Sequence, residues 1–244
     1  MKFLVIILCL LSERFLIHVS SHHRFNWFMD YSNAVASRLS GFSPWIVLTA
    51  IIFPLVFIVW IVLHLFESVF FGLAGFILSL VIFYYCLGPA NPFYPIRENP
   101  EEELDNEAVG AYLAQANEQL FAVLFWYIVL GPVSIVLYRL LSLCQGQPAG
   151  SPIARQLLDI FDYLPARLTA LLYLFAGNFQ PGFTYFCKSF FALPSNNQKL
   201  VRDCGLAAIG KEVPKTMLNV EQLVEHVTVI LLVFLALFTM VSWM

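Results

Sequence analysis

The chain has 244 residues, of which 60% are apolar and only 12% charged, where a water-soluble domain carries about 25% charged residues. That balance excludes a soluble globular fold and predicts an all-α, polytopic membrane protein with about four transmembrane helices plus re-entrant or amphipathic helices. A formal net charge of −3, with no basic stripe to neutralise phosphates, excludes nucleic acid as a partner and leaves the lipid bilayer as the first one.

In chain order, residues 1–43 form an interfacial segment or first helix. Lys2 precedes an apolar run from Phe3 to Leu11, as in a secretory signal, but no small-residue cleavage site follows, and Leu8 before Cys9 is wrong for a lipoprotein. Ser12-Glu13-Arg14 interrupts the run and Phe15 to Val19 resumes it. The segment is either a short interfacial helix or a span from Phe3 to Val19 carrying an internal Glu13–Arg14 pair. Such a pair would have to face protein, which makes Glu13 and Arg14 candidate site residues. His22, His23, Arg24, Trp27, Tyr31 and Arg38 suit the headgroup region, and a lone His22-His23 pair is too few ligands for a metal.

Pro44 to Leu65 reads as a transmembrane helix kinked at Pro54, and Val69 to Leu87 as its hairpin partner, with Glu67 between them and Gly72 and Gly75 permitting close approach. Residues 88–95 are a proline-rich loop. Asn99-Pro100-Glu101-Glu102 has the pattern of a helix start. Acids dominate the stretch 88–119 (Glu98, Glu101, Glu102, Glu103, Asp105, Glu107 and Glu118 against Arg97), as on a solvated acidic face. Leu120 to Leu143 is apolar enough to span, yet Gly131-Pro132 lies at its centre and Arg139 near its end, interruptions that often mark sites.

A turn at 145–152 leads into the densest charge cluster of the apolar chain, Asp159-Ile-Phe-Asp162-Tyr163-Leu-Pro165-Ala-Arg167. Asp159 and Asp162 would share a helical face, with Tyr163 next to Asp159 at spacing four. Pro165 predicts a break near Leu164 and a new helix from Pro165. Arg167 would then sit near a helix N-terminus, where the dipole disfavours a cation, so Asp162 or Asp159 is the expected counter-anion. Two readings stand: a structural ion pair fixing a helix-turn-helix, or a functional site at the mouth of an apolar core. A further turn is expected over Phe175 to Gly182. Short helical pieces and a polar connection follow to 224, and a last transmembrane helix lies within 225–244, apolar from Thr228 to Trp243. The chain reads as one membrane domain over 1–244, with 120–193 as its motif-bearing core.

The cysteines Cys9, Cys86, Cys144, Cys187 and Cys204 are scattered, with no CxxC, and read as apolar fillers. No GxxxxGK[ST] occurs, so a P-loop is excluded as a nucleotide site. The bases Arg14, Arg24 and Arg38, and those from Arg155 to Lys215, call for cytoplasmic placement of 12–43 and 144–224. A single crossing by 120–143 would violate this. Either 120–143 is re-entrant or 165–193 adds a partial crossing, with the site cytoplasmic.

Leu124-Phe-Trp126-Tyr-Ile-Val-Leu-Gly131-Pro132, then Leu137-Tyr138-Arg139-Leu140, then Asp162-Tyr-Leu-Pro165-Ala-Arg167-Leu168 resemble the AmpE family of bacterial inner-membrane proteins over nearly the whole chain. That family is in turn similar to the CobD/CbiB membrane enzymes of cobalamin synthesis. The first resemblance implies multi-pass inner-membrane signalling linked to β-lactamase induction and cell-wall fragment recycling, alongside the cytosolic amidase AmpD, with a muropeptide or nucleotide as anionic ligand. The second implies an amide-forming enzyme that joins a corrin carboxylate to an aminopropanol with ATP and Mg²⁺. Those enzymes typically carry Asp-Asp-x-x-Asn-x-x-Pro-Ala-Arg-Leu. Here Asp159 matches the second aspartate and Pro165, Ala166, Arg167 and Leu168 match the end, whereas Leu158 replaces the first aspartate and Asp162 the asparagine. The resemblance makes Arg167 and Arg139 anion contacts, with Tyr163 beside them. Asp159 and Asp162 would orient the ligand or hold Mg²⁺ between phosphates.

Overall fold

A computed structural model describes residues 2–15, 25–39, 41–66, 72–87, 104–146, 151–210 and 214–241. Among them the chain is helical, without a strand. Three helices are long and apolar enough to cross a membrane: Pro44–Phe66, Asn106–Leu130 and Met217–Val241. Shorter apolar helices, Leu73–Cys86, Pro132–Cys144 and Tyr163–Ala176, accompany them. The fold separates into two compact units, one of residues 1–89 and 123–161, the other of residues 90–122 and 162–244.

In the first unit, α1 (Lys2–Phe15) runs through Ser12-Glu13-Arg14 without a break; the pairing expected of Glu13 and Arg14 falls outside the described side chains. Its Cys9 thiol donates to the Leu80 carbonyl of α4 (Leu73–Cys86) at 3.6 Å. α2 (Asn26–Arg38) lies against α3 (Pro44–Phe66), and Trp27 Nε1 donates to Tyr85 Oη at 2.6 Å. α3 keeps Pro54 inside it and buries Val47, Leu48, Ile51 and Ile52. Its outward rings Phe53, Phe57, Trp60 and His64 stack one turn apart, as a lipid-facing row does. Gly75 lines a cavity of about 420 Å³ with Trp60, His64, Ser79 and Tyr127. Glu67 and the loop 88–95 lie outside the described residues, as does His22-His23.

The apolar run 120–143 divides as its glycine requires. α6 (Ala122–Leu130) closes at Gly131, whose φ of 91° is a conformation L side chains rarely adopt, and α7 (Pro132–Cys144) starts with proline in its first turn, where no N–H is needed. Ser134 Oγ lies within hydrogen-bond distance of the Trp126 carbonyl (2.9 Å) and the Gly131 carbonyl (2.7 Å) and gives its one proton to this pair of acceptors at the break. α8 (Ser151–Phe161) already includes Ser151 and Pro152, so the expected turn ends earlier.

In the second unit, α5 (Asn106–Ala116) continues through a π-helical turn, Asn117–Phe121, towards α6. The start expected at Asn99-Pro100 lies outside the described residues; the helix described here begins at Asn106, capped by Asp105, whose carboxylate accepts from Ala108 N at 2.7 Å. α9 (Tyr163–Ala176), α10 (Phe179–Ser189) and α11 (Asn197–Ile209, preceded by a 3₁₀ turn at Pro194–Asn196) pack closely through small residues. A Cβ at position 205 would come within 2.6 Å of Leu113 Cδ1, and one at position 182 within 2.2 Å of Leu174 Cδ2. Tyr173, fully buried, donates to the Leu113 carbonyl at 3.0 Å, which satisfies its hydroxyl in an apolar core. The turn expected over 175–182 shrinks to Gly177-Asn178, because Pro181 fits the first turn of α10. α12 (Met217–Val241) begins well before Thr228, so Glu225-His226 lies inside the helix and not at its entry.

Candidate functional site

The cluster divides at Asp162. α8 ends at Phe161, Asp162 forms the turn with φ −77° and ψ −5°, and α9 starts at Tyr163, two residues before the expected Pro165. Pro165 is then third in α9, where its missing N–H costs nothing, and the Ala166 amide closes the turn on the Asp162 carbonyl at 2.9 Å. Asp159 and Asp162 therefore do not share one helix, as their spacing suggested. Asp159, on α8, is half-buried and Asp162 is buried. Burial pushes the Asp159 carboxyl above the ordinary carboxylate range, opposed by Arg155 one turn earlier.

Arg167 is 4% exposed and sits at the centre of the second unit's polar contacts. Its Nε donates to the Phe190 carbonyl at 2.7 Å and its Nη2 to the Ala192 carbonyl at 2.9 Å. Its Nη1 donates to the Tyr163 carbonyl at 2.8 Å and to Asn197 Oδ1 at 2.9 Å. A guanidinium has five N–H donors, so these four bonds leave one, on Nη2. The Tyr163 ring lies 3.3 Å from its central carbon. The acceptors around Arg167 are carbonyl oxygens, an amide and a ring, where a carboxylate was expected. The physical reason is the chain just past α10, which ends at Ser189: the carbonyls of Phe190 and Ala192 have no intrahelical partner and lie at the negative end of the helix dipole, so they take the cation.

Arg139 meets the same need in the first unit. It is 3% exposed, and its Nε donates at 2.8 Å to the carbonyl of Cys86, the last residue of α4. The two interior arginines of the motifs each hold the C-terminal end of a helix.

Sequence reasoning missed Asn197, buried at the start of α11. It also missed the pair formed by Tyr185 and Asp203, whose Oη–Oδ2 distance is 2.5 Å. Burial first, and then this bond, raise the Tyr185 phenol. Cys9, Cys86, Cys144 and Cys204 are buried and Cys187 is exposed. Among the described residues no three His, Cys, Asp or Glu side chains gather as metal ligands. A magnesium ion here would therefore lean on one or two carboxylates and on substrate phosphates, a set common for that ion. Leu158, in the place of the family's first aspartate, is 2% exposed and belongs to the apolar core of α8.

Long apolar helices, arginines held inside on carbonyls and a half-buried carboxylate together define a helical membrane protein. Two curated proteins are similar to part of it. Cobalamin biosynthesis protein CobD of Chromobacterium violaceum is 34% identical over 94 residues, covering 35% of this chain and 30% of the relative. Cobalamin biosynthesis protein CobD of Stutzerimonas stutzeri is 34% identical over 86 residues, covering 32% of this chain and 28% of the relative. The match thus spans less than a third of each relative's length. No family model matches the chain, and no solved structure matches it. The similarity is to CobD proteins, and nothing in these comparisons supports the AmpE resemblance.

Proposed function

We propose that this chain is a CobD-like, multi-pass inner-membrane protein that acts on a carboxylate-bearing small molecule in an ATP- and Mg²⁺-dependent, amide-forming reaction. The observation that carries the reading is the 34% identity to the two CobD proteins, together with the Pro165-Ala166-Arg167-Leu168 end of the cobalamin-enzyme motif. In this reading Asp159 is a carboxylate for a magnesium ion, which would supply charge neutralisation between phosphates. Arg167 and Tyr163 orient the loop after α10 and offer the remaining Nη2 donor to an anion. Arg139 holds the end of α4, and Glu13 and Arg14 keep their place as candidate ligand contacts read from the sequence.

A second reading is favoured by Leu158. A buried leucine where the cobalamin enzymes place an aspartate weakens a paired-carboxylate magnesium site, and fits an AmpE-like sensor that binds an anionic muropeptide or nucleotide without turnover. Native mass spectrometry of the full chain purified in detergent separates the two. A co-purifying corrinoid, lost in Asp159→Asn, supports the CobD-like reading. A muropeptide, with altered β-lactamase induction in the deletion strain, would replace it with the sensor.

A further inference from the structure

α10 carries a row of rings that the protein itself only half covers. Phe175 of α9 stacks on Phe179 at 5.4 Å between centroids, Phe179 on Phe183 at 4.7 Å, Phe183 on Phe186 at 6.5 Å, and Phe186 meets Phe190 edge-on at 5.5 Å. Phe191 follows at 5.0 Å from Phe190 and is 87% exposed, with Leu193 at 71%. On the neighbouring α9, Leu164 and Phe175 are also more than half exposed.

The helical period sorts the rest of α10 into faces. Gly182 and Phe186 are buried, with Gly182 set against Leu174 and Ala207. Gln180, Thr184 and Lys188, four apart, line an exposed polar stripe on the far side of the rings. Lys188 is the sole charged residue of this helix, FQPGFTYFCKS. Its 11 residues span about 16 Å, half of what a bilayer crossing needs. A short helix with an aromatic face, a polar stripe and a cation is built to lie in the membrane interface.

We propose that the exposed rings of α10 and of the residues just past it, Phe179, Phe183, Phe190 and Phe191, seat in the headgroup–acyl boundary of the lipid bilayer, with Lys188 turned to anionic headgroups. Three observations select lipid as the occupant. The same unit contains α12, which is long and apolar enough to cross a membrane, so the bilayer is adjacent to this unit. The exposed face is continuous with the apolar helix α9 through the Phe175–Phe179 stack. The exposed charge it bears is positive, complementary to an anionic leaflet. Arg167 positions the end of this surface by holding the Phe190 and Ala192 carbonyls. The inference concerns membrane seating and is independent of the ligand reading above.

Cys187 gives a native reporter. It is exposed on α10, one turn beyond Phe183, while the other cysteines are buried. The full chain, labelled there with bimane and reconstituted in phosphatidylcholine–phosphatidylglycerol vesicles, should be quenched at least about twofold by lipids brominated high in the acyl chain, and little by aqueous iodide. Phe191→Asp, at a position too exposed to endanger folding, should reduce the lipid quenching and admit iodide. Strong iodide quenching of the unsubstituted chain without lipid quenching would overturn the proposal. So would quenching unmoved by Phe191→Asp, or protection from both quenchers with concentration-dependent crosslinking through Cys187, which would make the occupant a second copy.

Discussion

The guanidinium carbon of Arg167 lies 3.3 Å from the centre of the Tyr163 ring, one turn before it on α9, and the same side chain donates back to the Tyr163 carbonyl at 2.8 Å. The cation is thus held by its own helix while its other donors reach the end of α10 and the start of α11. Arg167→Ala should cost at least about 3 kcal/mol of stability, because it strands several buried acceptors of a charged donor. Arg167→Lys should recover little of it, since an ammonium cannot reproduce the planar fork. Thermal unfolding in detergent, with limited proteolysis around residues 190–193 as the local readout, checks both.

Leu158→Asp would rebuild the first aspartate of the cobalamin-enzyme motif at a site that is 2% exposed. The expected outcome is a loss of about 2 kcal/mol or more of stability and no gain of activity, because a carboxylate there enters an apolar environment. The same thermal assay, beside an activity assay, measures it.

Asp159 gives a pH-dependent test. Burial raises its folded-state pKa, so its contribution to stability is present below the ordinary carboxylate pKa and is lost as pH rises through the raised value. Asp159→Asn should therefore raise the melting temperature at neutral pH and leave it unchanged at about pH 3, below the ordinary aspartate value. If Asp159 holds magnesium, millimolar Mg²⁺ should stabilise the unsubstituted chain at neutral pH and not Asp159→Asn.

Ser195 is exposed in the 3₁₀ turn before α11, among the bases that call for cytoplasmic placement. Ser195→Cys in a Cys187→Ser background should react with a membrane-impermeant maleimide only after the cells are opened. Labelling from outside intact spheroplasts would reverse the assigned orientation.

Several of these features are legible in the sequence for plain reasons. Gly131-Pro132 ends one helix and begins another because a left-handed residue followed by a first-turn proline leaves little else, and Pro165 announces the start of α9 to within two residues. Other features rest on competition that local sequence does not resolve. Asp105, read from the sequence only as one acid of an acidic face, caps the helix at Asn106, because a cap and a solvated acid look alike in sequence. The start of α12 is hidden from a hydropathy reading by Asn219, Glu221, Gln222 and Glu225, although Val220, Leu223, Val224 and Val227 keep a helical stripe that is buried.

The site was harder to read. The motif marks Arg167 and Arg139 as notable, but among their acceptors are the backbone carbonyls of residues 163, 190, 192 and 86, and a carbonyl has no sequence signature. Asn197 carries no periodicity or motif that separates it from Asn196. The expectation of a carboxylate partner for Arg167 followed from its place near a helix start, where the dipole disfavours a cation, whereas carbonyls at the end of a neighbouring helix supply partial negative charge without any acidic residue.

The most direct measurement of the account is turnover by the full chain in lipid nanodiscs, supplied with a corrinoid carboxylic acid, an aminopropanol and Mg²⁺–ATP, with products followed by mass spectrometry. A CobD-like protein forms the amide with stoichiometric loss of ATP, and Asp159→Asn, folded to the same extent, abolishes it. Folded, unsubstituted protein that binds the corrinoid or a muropeptide yet forms no amide and consumes no ATP would contradict the CobD-like reading.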